Sequence, residues 1–130
     1  DEGLAELQAM IARQPGRGDL FNSECWYRAR FRLGLDDMMD VCNAAVERAD
    51  YAAGALDSRA LAWLQVGQPE KAKADAQAAL ALQPGLYVTR YVLAHAERAL
   101  GDKGADAYID FFGKAWPHLA KQYASYGLKR

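Results

Sequence analysis

Residues 54–84, GALDSRALAWLQVGQPEKAKADAQAALALQP, decide how this chain folds. Leu56, Ala60, Trp63 and Leu64 recur at helical spacing and stop at Gly67. Pro69 then takes a first-turn position, where its missing N–H costs nothing, and Ala72, Ala76, Ala79 and Leu80 mark a second stripe that Pro84-Gly85 ends. The alanines let two helix axes approach closely, and Trp63 fills the neighbouring gap. Outward from this hairpin, Leu33-Gly34, Val66-Gly67 and Leu100-Gly101 fall 33 and 34 residues apart, each closing one apolar stretch and preceding another. That period belongs to stacked helical hairpins. A unit of this size cannot bury its own apolar face, so its neighbours complete the core and the array presents a binding face.

Glu2 to Arg13 reads as an amphipathic helix with Leu4, Leu7, Met10 and Ile11 on one side, ended by Gln14-Pro15-Gly16. Asn22 or Ser23 caps a second helix whose stripe runs Phe21, Cys25, Trp26, Ala29, Leu33 to a left-handed turn at Gly34. Asp36 and Asp37 open the returning helix, where negative charge suits the dipole, and Met38, Cys42, Ala45 and Val46 give it a buried side. A third hairpin places Val88, Tyr91, Ala94 and Leu100 before Gly101 and Tyr108, Phe111, Phe112 and Ala115 after it, with Pro117 as punctuation. Phe111, Phe112 and Trp116 are expected to pack in the core. Leu119, Tyr123 and Tyr126 mark a closing helix that shields the last hairpin from water. No segment shows sustained period-two alternation with β-branched enrichment, so no sheet is expected. The expected fold is an all-α single domain over residues 1–130, an α-α superhelix of about three hairpins at roughly 19–50, 53–86 and 87–121. The helix at 2–13 and the tail at 118–128 serve as caps.

With 52% apolar and 25% charged residues the composition is that of a folded domain. Sixteen basic against seventeen acidic residues leave a net charge of −1, which supplies no field to gather nucleic acid. No stretch reaches the roughly 20 apolar residues that membrane insertion requires. The chain begins at Asp1 without Met, which is expected of a removed leader or of a missing preceding region, and the two imply different compartments. Cys25 and Cys42 stand on the two arms of the first hairpin, either bridged in an oxidising compartment or packed as two small buried hydrophobes.

Residues 54–84 resemble a tetratricopeptide repeat, with Leu56 at the bulky first position, Ala60 at the small one, Trp63 at the aromatic one, then Gly67, Ala72, Ala79 and Pro84. Arg59 replaces the usual leucine and Ala76 the usual aromatic. The third unit matches through Ala94 and Gly101. In the first unit, alignment on Gly34 puts Tyr27 at the small site, whereas alignment on Ala45 puts Trp26 there. The resemblance implies that the first helix of each hairpin lines a concave groove for a protein or peptide. The groove positions fall on Asp57, Leu61, Leu64 and Gln65, on Tyr91, His95 and Arg98, and in the first repeat on Tyr27, Arg30 and Phe31. A subgroup of the family clamps C-terminal carboxylates with a lysine where this chain has Asp57, so that clamp is not implied here. Asn22 to Trp26, Cys42, Asp57-Ser58-Arg59 and Tyr126-Gly127 also look like repeat proteins of alphaproteobacterial type, which implies a bacterial periplasmic or envelope setting, with the cytoplasm as the alternative.

Catalysis has little to stand on. His95 and His118 fall in different helices with no nearby Cys or acid at the spacing of a triad. No metal-ligand spacing recurs, Gly101-Asp102-Lys103-Gly104 lacks the phosphate-loop pattern, and Asp36 to Asp40 reads as a helix first turn, so no cofactor is expected. The sequence therefore predicts a non-catalytic protein-interaction module. The alternatives are an accessory region of a larger bacterial envelope enzyme whose catalytic part is absent from this chain, and a self-associating structural spacer.

Overall fold

A computed structural model describes all 130 residues and contains eight helices and no strand. Helix α1 spans Glu2–Arg13, α2 Gly18–Phe31, α3 Met38–Arg48, α4 Ala52–Gln65, α5 Pro69–Leu82, α6 Tyr87–Ala99, α7 Ala105–Ala115 and α8 Pro117–Ser125. The pairs α2/α3, α4/α5 and α6/α7 are the three hairpins. Returning helices α3 and α5 each pack on the first helix of the next hairpin, and α2, α4 and α6 neighbour one another in that order. One face of the array is therefore built from first helices only. Gly67 and Gly101 turn the second and third hairpins with φ of 75° and 90°, a region that side chains resist.

The first hairpin departs from the expected boundaries. Helix α2 starts at Gly18, four residues before Asn22, and Ser23 lies inside it with its hydroxyl donating back to the Asp19 carbonyl. The reason is tertiary: a Cβ on residue 18 would come within 2.1 Å of the Arg48 carbonyl oxygen, so only glycine lets α2 begin against the end of α3. At its other end α2 stops at Phe31, and Arg32 as well as Gly34 takes the left-handed conformation.

Four Arg28 contacts hold that turn. The guanidinium is buried on α2, donating from Nη1 to Glu24 at 3.0 Å and from Nε to the Leu33 carbonyl at 3.1 Å, while Nη2 reaches the Gly34 carbonyl and Asp37. Asp37, expected to serve the helix start, is thus spent on Arg28 and makes no side-chain cap. Cys25 and Cys42 are joined by a disulfide between α2 and α3, with both residues fully buried and their Cα atoms 4.9 Å apart.

The two departures from the repeat pattern in α4/α5 have local explanations. Arg59 forms a bidentate pair with Asp75 of α5 at 2.7 and 2.8 Å. Ala76 is fully buried where α4 and α5 pack, leaving no room for an aromatic ring. No helix is long and apolar enough to cross a membrane.

Candidate functional site: the concave face and its own occupant

Trp116 ends α7 and precedes α8 with φ −133° and ψ 70°, outside the helical region, and Pro117, which needs no N–H partner in a first turn, opens α8. This bend carries α8 and residues 126–130 across the face made by α2, α4 and α6. The tail was expected to shield the last hairpin; it also reaches the first. The Tyr123 ring lies 6.2 Å from Trp26 of α2 and 6.1 Å from Tyr91 of α6. Tyr126 meets Trp26 edge-on at 6.0 Å and Phe31 at 6.2 Å. Tyr123, Tyr126 and Leu128 are all buried and belong to the main apolar cluster.

Polar side chains of the face grip the tail's backbone. Gln65, the last residue of α4, donates from Nε2 to the Tyr126 carbonyl at 2.5 Å and to the Ala29 carbonyl at 3.0 Å, while its Oε1 accepts from Arg32. Arg98 of α6 donates to the Lys129 carbonyl, and Arg130 donates to Asp110 of α7 at 3.2 Å. The Gln65 and Arg98 bonds run from side chain to main chain and hold the segment without reading its side chains, whereas Arg130 engages Asp110 side chain to side chain. The aromatic contacts read those.

The ten residues expected to line a groove therefore have different fates. Leu61 and Tyr91 are wholly buried, and Tyr91 stacks on Phe112 at 3.8 Å, so neither offers a surface to a ligand. The Tyr91 ring is enclosed by Phe112 of α7 and Tyr123 of α8, and Leu61 lies in the main apolar cluster. Gln65 and His95 are buried too, Gln65 by engagement with the tail. Asp57 accepts a 2.8 Å bond from Thr89, linking α4 to α6, and its carboxyl is pushed above the usual range by burial, which the Thr89 hydroxyl partly offsets. Tyr27 donates to Asp1 at 2.8 Å, tying α1 to α2. Arg30 lies over Phe31 at 4.7 Å and Trp26 at 5.5 Å. Phe31 is half-exposed, and Leu64 and Arg98 are partly so. Of the outer aromatic cluster, Phe112 is core and Trp116 is partly buried against it, whereas Phe111 is 54% exposed, so the expectation of core packing fails for Phe111.

One cavity of about 420 Å³ remains open on this face. Gln65, His95 and Arg98 line it from the C-terminal ends of α4 and α6, and Gly127, Leu128 and Lys129 of the tail form its other wall. His95 is only 7% exposed, and burial first, then the Arg98 charge, lowers its pKa from 6.5 to about 4. The ring is therefore neutral at neutral pH. Sequence reasoning placed Gln65 and Arg98 on this face without the tail they hold, and it missed the Arg28 clamp. Its signal was a polar side chain inside an otherwise apolar helical stripe.

The fold and site together define an all-α array of helical hairpins whose C-terminal segment packs on the face made by the first helices. The chain matches no family model, no curated protein and no solved structure.

Proposed function

We propose that this chain is a non-catalytic, tetratricopeptide-like interaction module whose concave face takes a peptide segment of a protein partner, with its own C-terminal segment as the resident occupant. The single observation behind this reading is the way the tail is held. Main-chain carbonyls of Tyr126 and Lys129 accept from Gln65 and Arg98, while Tyr123 and Tyr126 enter an aromatic surface of Trp26, Phe31 and Tyr91. Backbone capture plus aromatic anchors is the ordinary chemistry of peptide recognition. A partner segment reaches the face by displacing the tail. The Cys25–Cys42 bridge supports an oxidising setting such as the bacterial periplasm or envelope, because cytosolic thiols are kept reduced.

The test uses the whole chain carrying Tyr126→Ala and Leu128→Ala, mixed with a fluorescent peptide of residues 117–130. The variant is expected to bind this peptide, and the unsubstituted chain to bind it far more weakly. A tethered segment competes at an effective concentration in the millimolar range. A variant that keeps its helicity by circular dichroism and still fails to bind refutes the reading.

A further inference from the structure

Gly113 stands in the last turn of α7 without the left-handed backbone that a turn would impose, and glycine is less favourable in a helix than alanine. Its reason lies in the tail. A Cβ on residue 113 would collide with Nε, Cζ and Nη1 of Arg130, three atoms of one planar group, so the guanidinium lies across the bare backbone of α7. Three residues earlier on the same helix face, Asp110 Oδ1 accepts from Arg130 Nη2 at 3.2 Å, while Lys114 takes Oδ2 at 3.0 Å. Glycine and carboxylate together form a seat for an arginine.

The residues before Arg130 bring it there in a fixed register. Gly127 takes φ of 110°, which side chains resist, and the N–H of buried Leu128 closes the end of α8 by donating to the Tyr123 carbonyl at 3.0 Å. Lys129 is exposed, and only its carbonyl is used, by Arg98. The face therefore reads Tyr123, Tyr126, Gly127, Leu128 and Arg130 and is indifferent to the side chain at 129.

We infer that the Gly113–Asp110 seat makes this face selective for partner segments of one chemistry: two aromatic anchors three apart, a glycine directly after the second, an aliphatic residue next, and an arginine two further on. This rests on the peptide reading and adds to it the character of the partner. Arginine suits the seat better than lysine, because a flat, weakly hydrated guanidinium lies against backbone and still donates to a carboxylate, whereas an ammonium is a compact, strongly hydrated charge. Both side chains of the ion pair are about half-exposed, 46% and 56%, so the seat sets preference and the aromatic anchors set most of the affinity.

The experiment uses the whole chain carrying Tyr126→Ala, Leu128→Ala and Arg130→Gln, whose own tail then offers no competing arginine. Fluorescent 117–130 peptides with Arg130, Arg130→Lys or Arg130→Gln are compared by anisotropy at low salt, where exposed pairs are least screened. The arginine peptide is expected to bind about three- to fivefold more tightly than the glutamine peptide, the size of one exposed ion pair, with the lysine peptide between them. Gly113→Ala in the chain favours helix α7 yet closes the seat, so it weakens the arginine peptide, leaves the glutamine peptide unchanged and abolishes the preference. Asp110→Asn, which leaves the backbone notch intact, reduces the preference through the carboxylate alone. Equal binding of the arginine and glutamine peptides, or a preference that survives both substitutions, overturns the inference and leaves the peptide reading standing. Failure of all three peptides to bind a chain of undiminished helicity overturns the peptide reading and this inference with it.

Discussion

Opening the Cys25–Cys42 bridge perturbs the first hairpin without touching the concave face. The two residues are 17 apart in sequence. In the chain-entropy account, closing a loop of that length removes about 10 cal/mol/K from the unfolded ensemble, or about 3 kcal/mol at room temperature. Both cysteines are fully buried beside Ala29 and Met38, so reduced thiols remain in the core and the folded state loses little. The cost falls on the unfolded side. Unfolding a chain of 130 residues releases about 270 cal/mol/K near the midpoint, so about 3 kcal/mol corresponds to a Tm lower by about 11 °C. The assay is thermal unfolding by circular dichroism of oxidised protein and of protein reduced while unfolded, then refolded in reductant. Cys25→Ala with Cys42→Ala is expected to fall further, because each deletion adds a cavity term. A depression under about 3 °C with both thiols verified as reduced refutes the loop argument. Two free thiols in denatured, unreduced protein refute the bridge itself.

Three further outcomes follow from buried charge. A His95 pKa depressed from 6.5 to about 4 contributes stability that is present above 6.5 and lost as pH falls through about 4, worth up to about 3 kcal/mol. Urea midpoints of the chain and of His95→Phe should lie together at pH 7, where the ring is neutral, and separate towards pH 4 with the variant the more stable, and parallel pH profiles would count against it. Asp57 runs in the opposite sense: its raised pKa makes its contribution full below the ordinary 3.8 and lost as pH rises through the raised value. Asp57→Asn, which keeps an acceptor for Thr89, should therefore raise the denaturation midpoint at pH 7 and leave it unchanged at pH 3; a lower midpoint at pH 7 contradicts this. Arg28→Ala strands the buried Glu24 carboxylate and releases the α2–α3 turn, an expected loss of about 3–5 kcal/mol in urea unfolding, and a loss under about 1 kcal/mol would show the clamp to be dispensable.

The second hairpin was legible because its instructions are local. Gly67 turns, Pro69 starts, Pro84 stops, and the alanine stripe of α5 states its own packing face. Helix α1 was equally plain, and its bounds agree residue for residue. The start of α2 was not, since what fixes Gly18 is the approach of the Arg48 carbonyl, 30 residues away in sequence. Tyr91 and Leu61 were placed on a groove by repeat position, and position alone does not say that another part of the chain lies on top. The aromatic spacing of Tyr123 and Tyr126 was visible, but the path of α8 is set by the backbone at Trp116 and by partners on three other helices. Such information is tertiary, and no window of the sequence contains it.

The self-occupied face sets a threshold for the proposed recognition. Displacing the tail uncovers Tyr126 and Leu128, each contributing about 1.5–3 kcal/mol of apolar burial, besides the Gln65 and Arg98 bonds to its backbone. A partner segment must replace those contacts with equivalents of its own before any surplus appears as affinity, so the face discriminates strongly against segments lacking aromatic anchors.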